Sequence, residues 1–123
     1  MLYAENGVIM QEQNFINGKT EGEQKYYYPD GSLEAIANHI NGEAEGIRKE
    51  FYENSGIPKA EYLYVNGIKG GRYKIFYENG NLREEGHIEA NHKVYVKEYD
   101  CNGQLKTIRE RKLDGSWEIL EQH

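Results

Sequence analysis

The stretch KYYYPDGSLEAIANHINGEAEG, residues 25–46, holds the pattern that decides the fold. Two turn markers, Asp30-Gly31 and Asn41-Gly42, separate runs of aromatic and aliphatic residues. Asn-Gly and Asp-Gly pairs favour tight hairpins because the backbone there needs positive φ, which Gly, Asn and Asp tolerate best. The same markers continue in both directions, at Asn6-Gly7, Asn17-Gly18, Asn66-Gly67, Asn79-Gly80, Asn102-Gly103 and Asp114-Gly115. Ser55-Gly56 and Asn91-His92 fill the two remaining slots.

These turns form two interleaved series, Gly7, Gly31, Gly56, Gly80, Gly103 and Gly18, Gly42, Gly67, Asn91, Gly115, each with a period of 23 to 25 residues. A fixed period in the range of 20–50 residues marks a repeat architecture. The segments between turns read as strands, and a 3.6-residue apolar period is missing from every stretch free of turn markers. The expectation is all-β: a single-layer, curved antiparallel meander of about five double-hairpin repeats of roughly 24 residues, with about ten short strands. The units are residues 1–22, 23–46, 47–71, 72–94 and 95–123, forming one repeat domain over 1–123. At about 4.8 Å per strand, ten strands make a ribbon roughly 45 Å long. One unit buries too little to fold alone, so stability comes from neighbours.

A second small motif follows the second-series turns: Lys19-Thr20-Glu21-Gly22, Glu43-Ala44-Glu45-Gly46 and Ile68-Lys69-Gly70-Gly71. Its Gly lets the backbone bend or lets a ring lie over it. At His92-Lys93-Val94-Tyr95 this Gly is missing, which predicts an irregular strand in the fourth unit.

Composition fits a thin sheet. Charged residues make up 29%, and the apolar content leans toward aromatics, with eleven Tyr, three Phe and one Trp. Tyr suits half-buried positions because its ring packs while its hydroxyl stays wet. The net charge of −6 argues against nucleic acid and anionic lipid as partners and suits a basic one. The acidity is concentrated in residues 1–60, with ten acids and five bases, while residues 61–123 carry eleven acids and ten bases. Cys101 is the sole cysteine, so an internal disulfide is ruled out. The first residues lack a basic and apolar leader pattern, and apolar runs are too short for a membrane span, which predicts a cytoplasmic protein.

The residues that could carry chemistry point away from catalysis. His39, His87, His92 and His123 lack metal-ligand spacing, so no metal and no cofactor is expected. Glu84 and Glu85 are adjacent on a strand and face opposite ways, and Glu43 and Glu45 flank a turn. Gly70-Gly71 is not followed by the Lys and Ser/Thr of a phosphate loop. Cys101 stands beside a turn with nothing to mark it as a redox catalyst.

The aromatic columns are more informative. Tyr27, Phe51 and Phe76 form one, and Tyr28, Tyr52 and Tyr77 the opposite one. A single-layer sheet cannot bury both faces, so one column stays partly exposed as an interaction surface. Tyr26, Tyr28, Tyr52, Tyr62, Tyr64 and Tyr77 are the candidate partner-binding residues. The alternative role for these rings is cross-strand stabilisation, worth about 0.2–1 kcal/mol per pair. Trp117 is read as a cap on the C-terminal edge.

YYYPDGSL, FYENSGIP, FYENGNL and EYDCNGQL, with NGEAEG between them, resemble the variant MORN repeat found in bacterial proteins, among them the YwqK-family antitoxins of toxin–antitoxin systems. The resemblance covers residues 2–118. It implies a protein-binding sheet, and the antitoxin connection implies a protein partner that is neutralised. Ser55-Gly56-Ile57-Pro58 and residues 91–95 depart from the pattern. The alternatives are a structural or self-associating module and, against the net charge, attachment to a membrane surface.

Overall fold

A computed structural model describes residues 2–3 and 9–123. The Asn6-Gly7 turn and the side chains of Tyr3 and Ile9 lie outside the described residues. The strands are β1 (Leu2–Tyr3), β2 (Ile9–Glu12), β3 (Phe15–Ile16), β4 (Lys19–Thr20), β5 (Gly22–Tyr27), β6 (Leu33–Ile40), β7 (Glu43–Ala44), β8 (Gly46–Phe51), β9 (Pro58–Val65), β10 (Ile68–Lys69), β11 (Gly71–Phe76), β12 (Leu82–Glu89), β13 (His92–Tyr99), β14 (Leu105–Arg111) and β15 (Trp117–Gln122). All pairings are antiparallel. The ribbon runs β1-β2-β5-β6-β8-β9-β11-β12-β13-β14-β15, with β7 on β6, β10 on β9, and β3–β4 as a separate hairpin. The meander is open, and no helix is present among the described residues.

The turns are of two physical kinds. Asn17-Gly18, Asn41-Gly42, Asn66-Gly67 and Ala90-Asn91 place both central residues at positive φ, between 48° and 84°. That is the tight two-residue turn whose twist matches the strands. Gly31, Gly80, Gly103 and Gly115, all at φ 88–90°, each close a three-residue loop with a single left-handed residue. In the first of these, Gly31 N donates to Tyr28 O at 2.9 Å and Tyr28 N to Ser32 O at 2.8 Å. The pairing slips by one residue between Tyr26 and Tyr27, the bulge this loop imposes. A carboxylate or amide oxygen secures each such loop: Asp30 Oδ1 accepts from Ser32 N, Asn79 Oδ1 from Asn81 N, Asp100 Oδ1 from Asn102 N and Asp114 Oδ1 from Ser116 N, all at 2.8–2.9 Å. Gly115 thus belongs with the Gly31 kind of turn, although its spacing puts it in the other series.

Gly22, Gly46 and Gly71 also have positive φ, at 82°, 84° and 71°. There the chain breaks from its partner strand and rejoins it further on. On β9, Tyr64 and Val65 pair with Lys69 and Ile68, and Ala60 and Glu61 pair with Ile75 and Lys74. Tyr62 and Leu63 on one side therefore face residues 70–73 on the other across an interrupted ladder. The gap is pinned by one bond, Gly70 N to Leu63 O at 3.0 Å, matching Glu21 N to Asn14 O and Glu45 N to Asn38 O at 2.8 Å in the earlier units. Each short strand then receives the next unit's turn. Gly42 N donates to Thr20 O, Gly67 N to Ala44 O and Asn91 N to Lys69 O, at 2.8–3.0 Å. Glu21 and Glu45 add a carboxylate to the same joint, accepting from Asn41 N and Asn66 N at 2.7 Å.

The fourth unit is irregular where the sequence places it. β13 is an eight-residue strand, but His87 pairs with Tyr95 and Ile88 with Lys93, so Val94 bulges out of the ladder. With no left-handed Gly to divert it, the strand keeps its partner.

The core is small and lies on one face. Ala35, Ala37, Ala60, Tyr73, Ile88 and Val96 are buried. The alternation of side chains along the paired strands puts all of them on the same side as Tyr26, Tyr62 and Tyr64.

Candidate partner-binding surfaces

The six candidate tyrosines divide by what their hydroxyls do. Tyr28 Oη donates to Phe51 O at 2.6 Å and Tyr77 Oη to Tyr99 O at 2.7 Å, and Tyr52 Oη donates to Phe76 O. Each reaches one repeat ahead. This column is an internal ladder, half-buried, and its polar ends are committed within the chain.

Tyr26, Tyr62 and Tyr64 lie on the core face and are half-buried. Cations cover rings along this face. The Arg48 guanidinium stands 5.3 Å from the Tyr26 ring centre and Lys69 Nζ 4.0 Å from that of Tyr62 and 6.0 Å from that of Tyr64. Lys93 lies 5.2 Å from Tyr73, and Arg109 4.9 Å from Trp117. Such contacts contribute about 0.5–1 kcal/mol at exposed sites. Three of these cations also pair with carboxylates: Arg48 with Glu50 at 3.1 Å, Lys93 with Glu84 at 2.6 Å and Arg109 with Glu98 at 2.9 Å. Lys69 makes no ion pair among the described residues.

Glu84 is the hub. Besides Lys93 it accepts the Tyr73 hydroxyl at 2.7 Å. Burial alone would raise its carboxyl. The hydrogen bonds from Lys93 and Tyr73 and the charges of Lys93 and Arg109 outweigh that and hold it below its usual range. The Tyr73 hydroxyl is pushed far up, first by burial and then by its bond to Glu84.

The three interrupted ladders are filled differently. In the first unit Gln24, fully buried, sits in the gap. Its Oε1 accepts from Asn14 N at 3.1 Å, and its Nε2 lies 3.1–3.3 Å from the carbonyls of Asn14, Glu21 and Gly22. The equivalent residue of the second unit, Arg48, turns to Glu50. That of the third, Tyr73, stacks on Tyr62 with ring centres 6.2 Å apart and planes 12° apart. Beside that stack a hollow of about 300 Å³ remains, lined by Ile47, Glu61, Tyr62, Leu63, Arg72, Tyr73 and Lys74.

The opposite face carries a row of charge. Following the pairing across the ribbon, Glu12, Lys25, Ile36, Lys49, Glu61, Lys74, Glu85, Lys97 and Ile108 stand side by side. Opposite charges on neighbouring strands stabilise the sheet modestly. At the turn edge, Ile16, Ile40, Val65 and Ile68 are about half exposed.

The other expected sites stay apart. His39 Nδ1 is 2.7 Å from Thr20 Oγ1 and holds a joint together. His87 and His92 pair with each other at neither end of the β12–β13 ladder, and no group of three or more metal-ligating side chains occurs among the described residues. Cys101 is exposed. Trp117 lies on the edge strand β15 with its ring over Arg109. Sequence reasoning missed Gln24 and the gaps. The signal was available as the residue two places after each motif Gly.

Three stretches match the MORN repeat variant. They are residues 2–17, 20–41 and 69–90, just under half of the chain. Each MORN-type stretch ends at the first central residue of a two-residue turn, Asn17, Asn41 or Ala90. Residues 42–68 fold into the same hairpin without matching. Their departure is the Ser55-Gly56 loop, where Asn54 and Gly56 both take positive φ, at 56° and 73°. No curated protein and no solved structure matches the chain. A MORN-type repeat suggests a module that binds proteins or membranes. Among the described residues no helix is long and apolar enough to cross a membrane.

Proposed function

We propose that this chain is a non-catalytic, cytoplasmic protein-binding scaffold that neutralises a partner protein in the manner of an antitoxin or immunity protein. The observation that carries the binding role is the row of rings and cations on the core face, Tyr26, Arg48, Tyr62, Lys69 and Tyr64, which no second layer among the described residues covers. Large rings held by neighbours bind with little loss of side-chain freedom. The finer, antitoxin reading is supported by the resemblance of YYYPDGSL, FYENGNL and EYDCNGQL to that family's repeats.

The test is co-expression with the product of the adjacent gene. A complex should copurify, with relief of toxicity, and Tyr62→Ala with Tyr64→Ala should weaken it on the order of tenfold or more. Retained affinity in that double variant would remove the core face from the binding role. Absence of any complex or relief would remove the antitoxin reading.

A second reading is self-association. It is favoured by β15, an uncovered edge whose six residues are all exposed, with Trp117, Ile119 and Leu120 among them. Light scattering that gives a monomer across the micromolar range would dismiss it.

A further inference from the structure

We infer that the face opposite the core holds a second docking site, at the third interrupted ladder, for an extended acidic protein segment carrying one bulky apolar side chain. The inference rests on the reading of the chain as a protein-binding scaffold, but uses a different surface.

The site is defined by an internal comparison. The same break in the ladder occurs in three repeats, because Gly22, Gly46 and Gly71 divert the chain in the same way. In the first repeat the break is plugged by the chain's own Gln24 side chain, which meets four backbone groups and is wholly removed from solvent. In the third repeat the corresponding residue is Tyr73. Its ring lies on the core face against Tyr62, with its hydroxyl on Glu84. The rings of Tyr62 and Tyr73 line the hollow from that side, and alternation along the strands puts its other lining residues, Ile47 and Leu63 on one flank and Arg72 and Lys74 on the other, on the opposite face. About 300 Å³ accommodates a single large side chain. Gly71 lies at φ 71°, which disfavours any other residue, and a Cβ there would come 2.9 Å from Leu63 Cδ2 at the edge of the hollow.

Charge selects the occupant. Arg72, Lys74 and Glu61 line the hollow; Lys49 stands beside Glu61, and Glu85 and Lys97 follow across the sheet beyond Lys74, four cations to two anions along this stretch of a protein of net −6. None of the four cations makes an ion pair among the described residues. Lys49, Arg72 and Lys74 are exposed. A second hollow on the far flank of β11 shares Arg72 and Lys74 and adds Lys97, so the basic rim continues along one direction from the apolar pocket. An apolar anchor with carboxylates beside it matches that layout, and desolvation of the anchor adds to the attraction of the rim.

The experiment is amide-shift NMR on the whole protein with three synthetic probes: acetyl-Glu-Glu-Leu-Glu-Glu-amide, its Leu→Ala counterpart, and acetyl-Lys-Lys-Leu-Lys-Lys-amide. The Leu probe should shift amides of Ile47, Leu63, Arg72 and Lys74. The Ala probe should bind on the order of tenfold more weakly, and the Lys probe should leave these amides unmoved. Arg72→Glu, at an exposed position, should abolish the Leu probe's shifts while leaving the rest of the spectrum in place. Equal binding of the Leu and Ala probes, binding of the Lys probe, shifts confined to the Tyr62–Tyr64 face, or the same shifts from oligouridylate but not the Leu probe would each overturn the inference. Copurification of the adjacent gene's product is a separate outcome. A chain that captures that product but ignores the Leu probe breaks this inference alone. A chain that binds the probe but captures no product breaks only the antitoxin reading.

Discussion

Residues 9–90 and residues 91–123 are made from the same hairpins but joined differently. In the first region a left-handed Gly follows each tight turn, at Gly22, Gly46 and Gly71, and each joint has a gap, a docked turn and a hydrogen bond forward to the next unit. In the second region β13, β14 and β15 pair without a gap, each ladder carrying a one-residue register shift, and the loops at Gly103 and Gly115 are of one kind. The difference turns on one residue type at one position. Where the backbone can enter the left-handed region cheaply the ladder opens into a gap, and where Val94 and Tyr95 stand it carries only a one-residue bulge. The first region holds the apolar hollow beside Tyr62 and Tyr73, while the hollows of the second lie along Glu110–Leu113 and are lined mainly by charged and polar residues.

The boundary between the regions should be the most sensitive place. A Cβ at Gly86 would fall on the Tyr95 carbonyl, so Gly86→Ala forces β12 and β13 apart. We expect a loss on the order of 3 kcal/mol, read as a drop in the urea midpoint, and outright failure to fold is the same result at its limit. A fully stable variant would mean that the two strands are not held as closely as described.

Next in size is Gln24→Leu, which leaves the backbone N–H and C=O of Asn14 without the amide that serves them. The expected loss is about 2–3 kcal/mol, with faster hydrogen exchange localised to the first joint. Uniform protection across the chain would contradict the plug.

Gly46→Ala tests the left-handed position alone, since a Cβ there meets nothing within 4 Å. The cost should be about 1–2 kcal/mol, all from backbone strain. The reverse change in the second region, Tyr95→Gly, should loosen the β12–β13 pairing at that point, read as faster amide exchange at residues 93–95.

The smallest effect concerns pH. The Glu84 carboxyl is held below its unfolded value of 4.5, so its contribution is fully present above that value and disappears as pH falls through the lower folded one. Thermal midpoints should therefore decline on acidification below about pH 4.5, and Glu84→Gln should flatten that part of the curve. An unchanged slope would assign acid sensitivity to other carboxylates.

Most of the architecture was legible because the turn markers are local. Asn-Gly and Asp-Gly announce positive φ whatever surrounds them, and ten evenly spaced markers leave little freedom for anything but a meander. The two kinds of turn were harder to separate, since Asp30-Gly31 and Asn41-Gly42 read alike as dipeptides. They differ in whether one or both residues turn left-handed, which the neighbouring strands decide. Gly115 was misplaced for that reason. The strand expected to be irregular, residues 92–99, carries a one-residue bulge at Val94, but with no left-handed Gly it stays paired to β12 on both sides of it. Among the candidate tyrosines, alternation set Tyr27 apart from Tyr28 correctly, but the acceptor of the Tyr28 hydroxyl lies 23 residues away, and nothing near Tyr28 specifies it. Gln24 was invisible as a structural residue because a polar side chain on a strand reads as solvent-facing until the break beside it is known.

The forward-reaching phenols have a mechanical consequence. Tyr28, Tyr52 and Tyr77 each tether their own hairpin to the one after it, and among the described residues nothing comparable ties a hairpin to one two places away. Pulled by its termini, such a molecule peels one hairpin at a time, like a zipper, instead of rupturing as a block. A force trace with several small, similar steps is the signature that this tethering leaves.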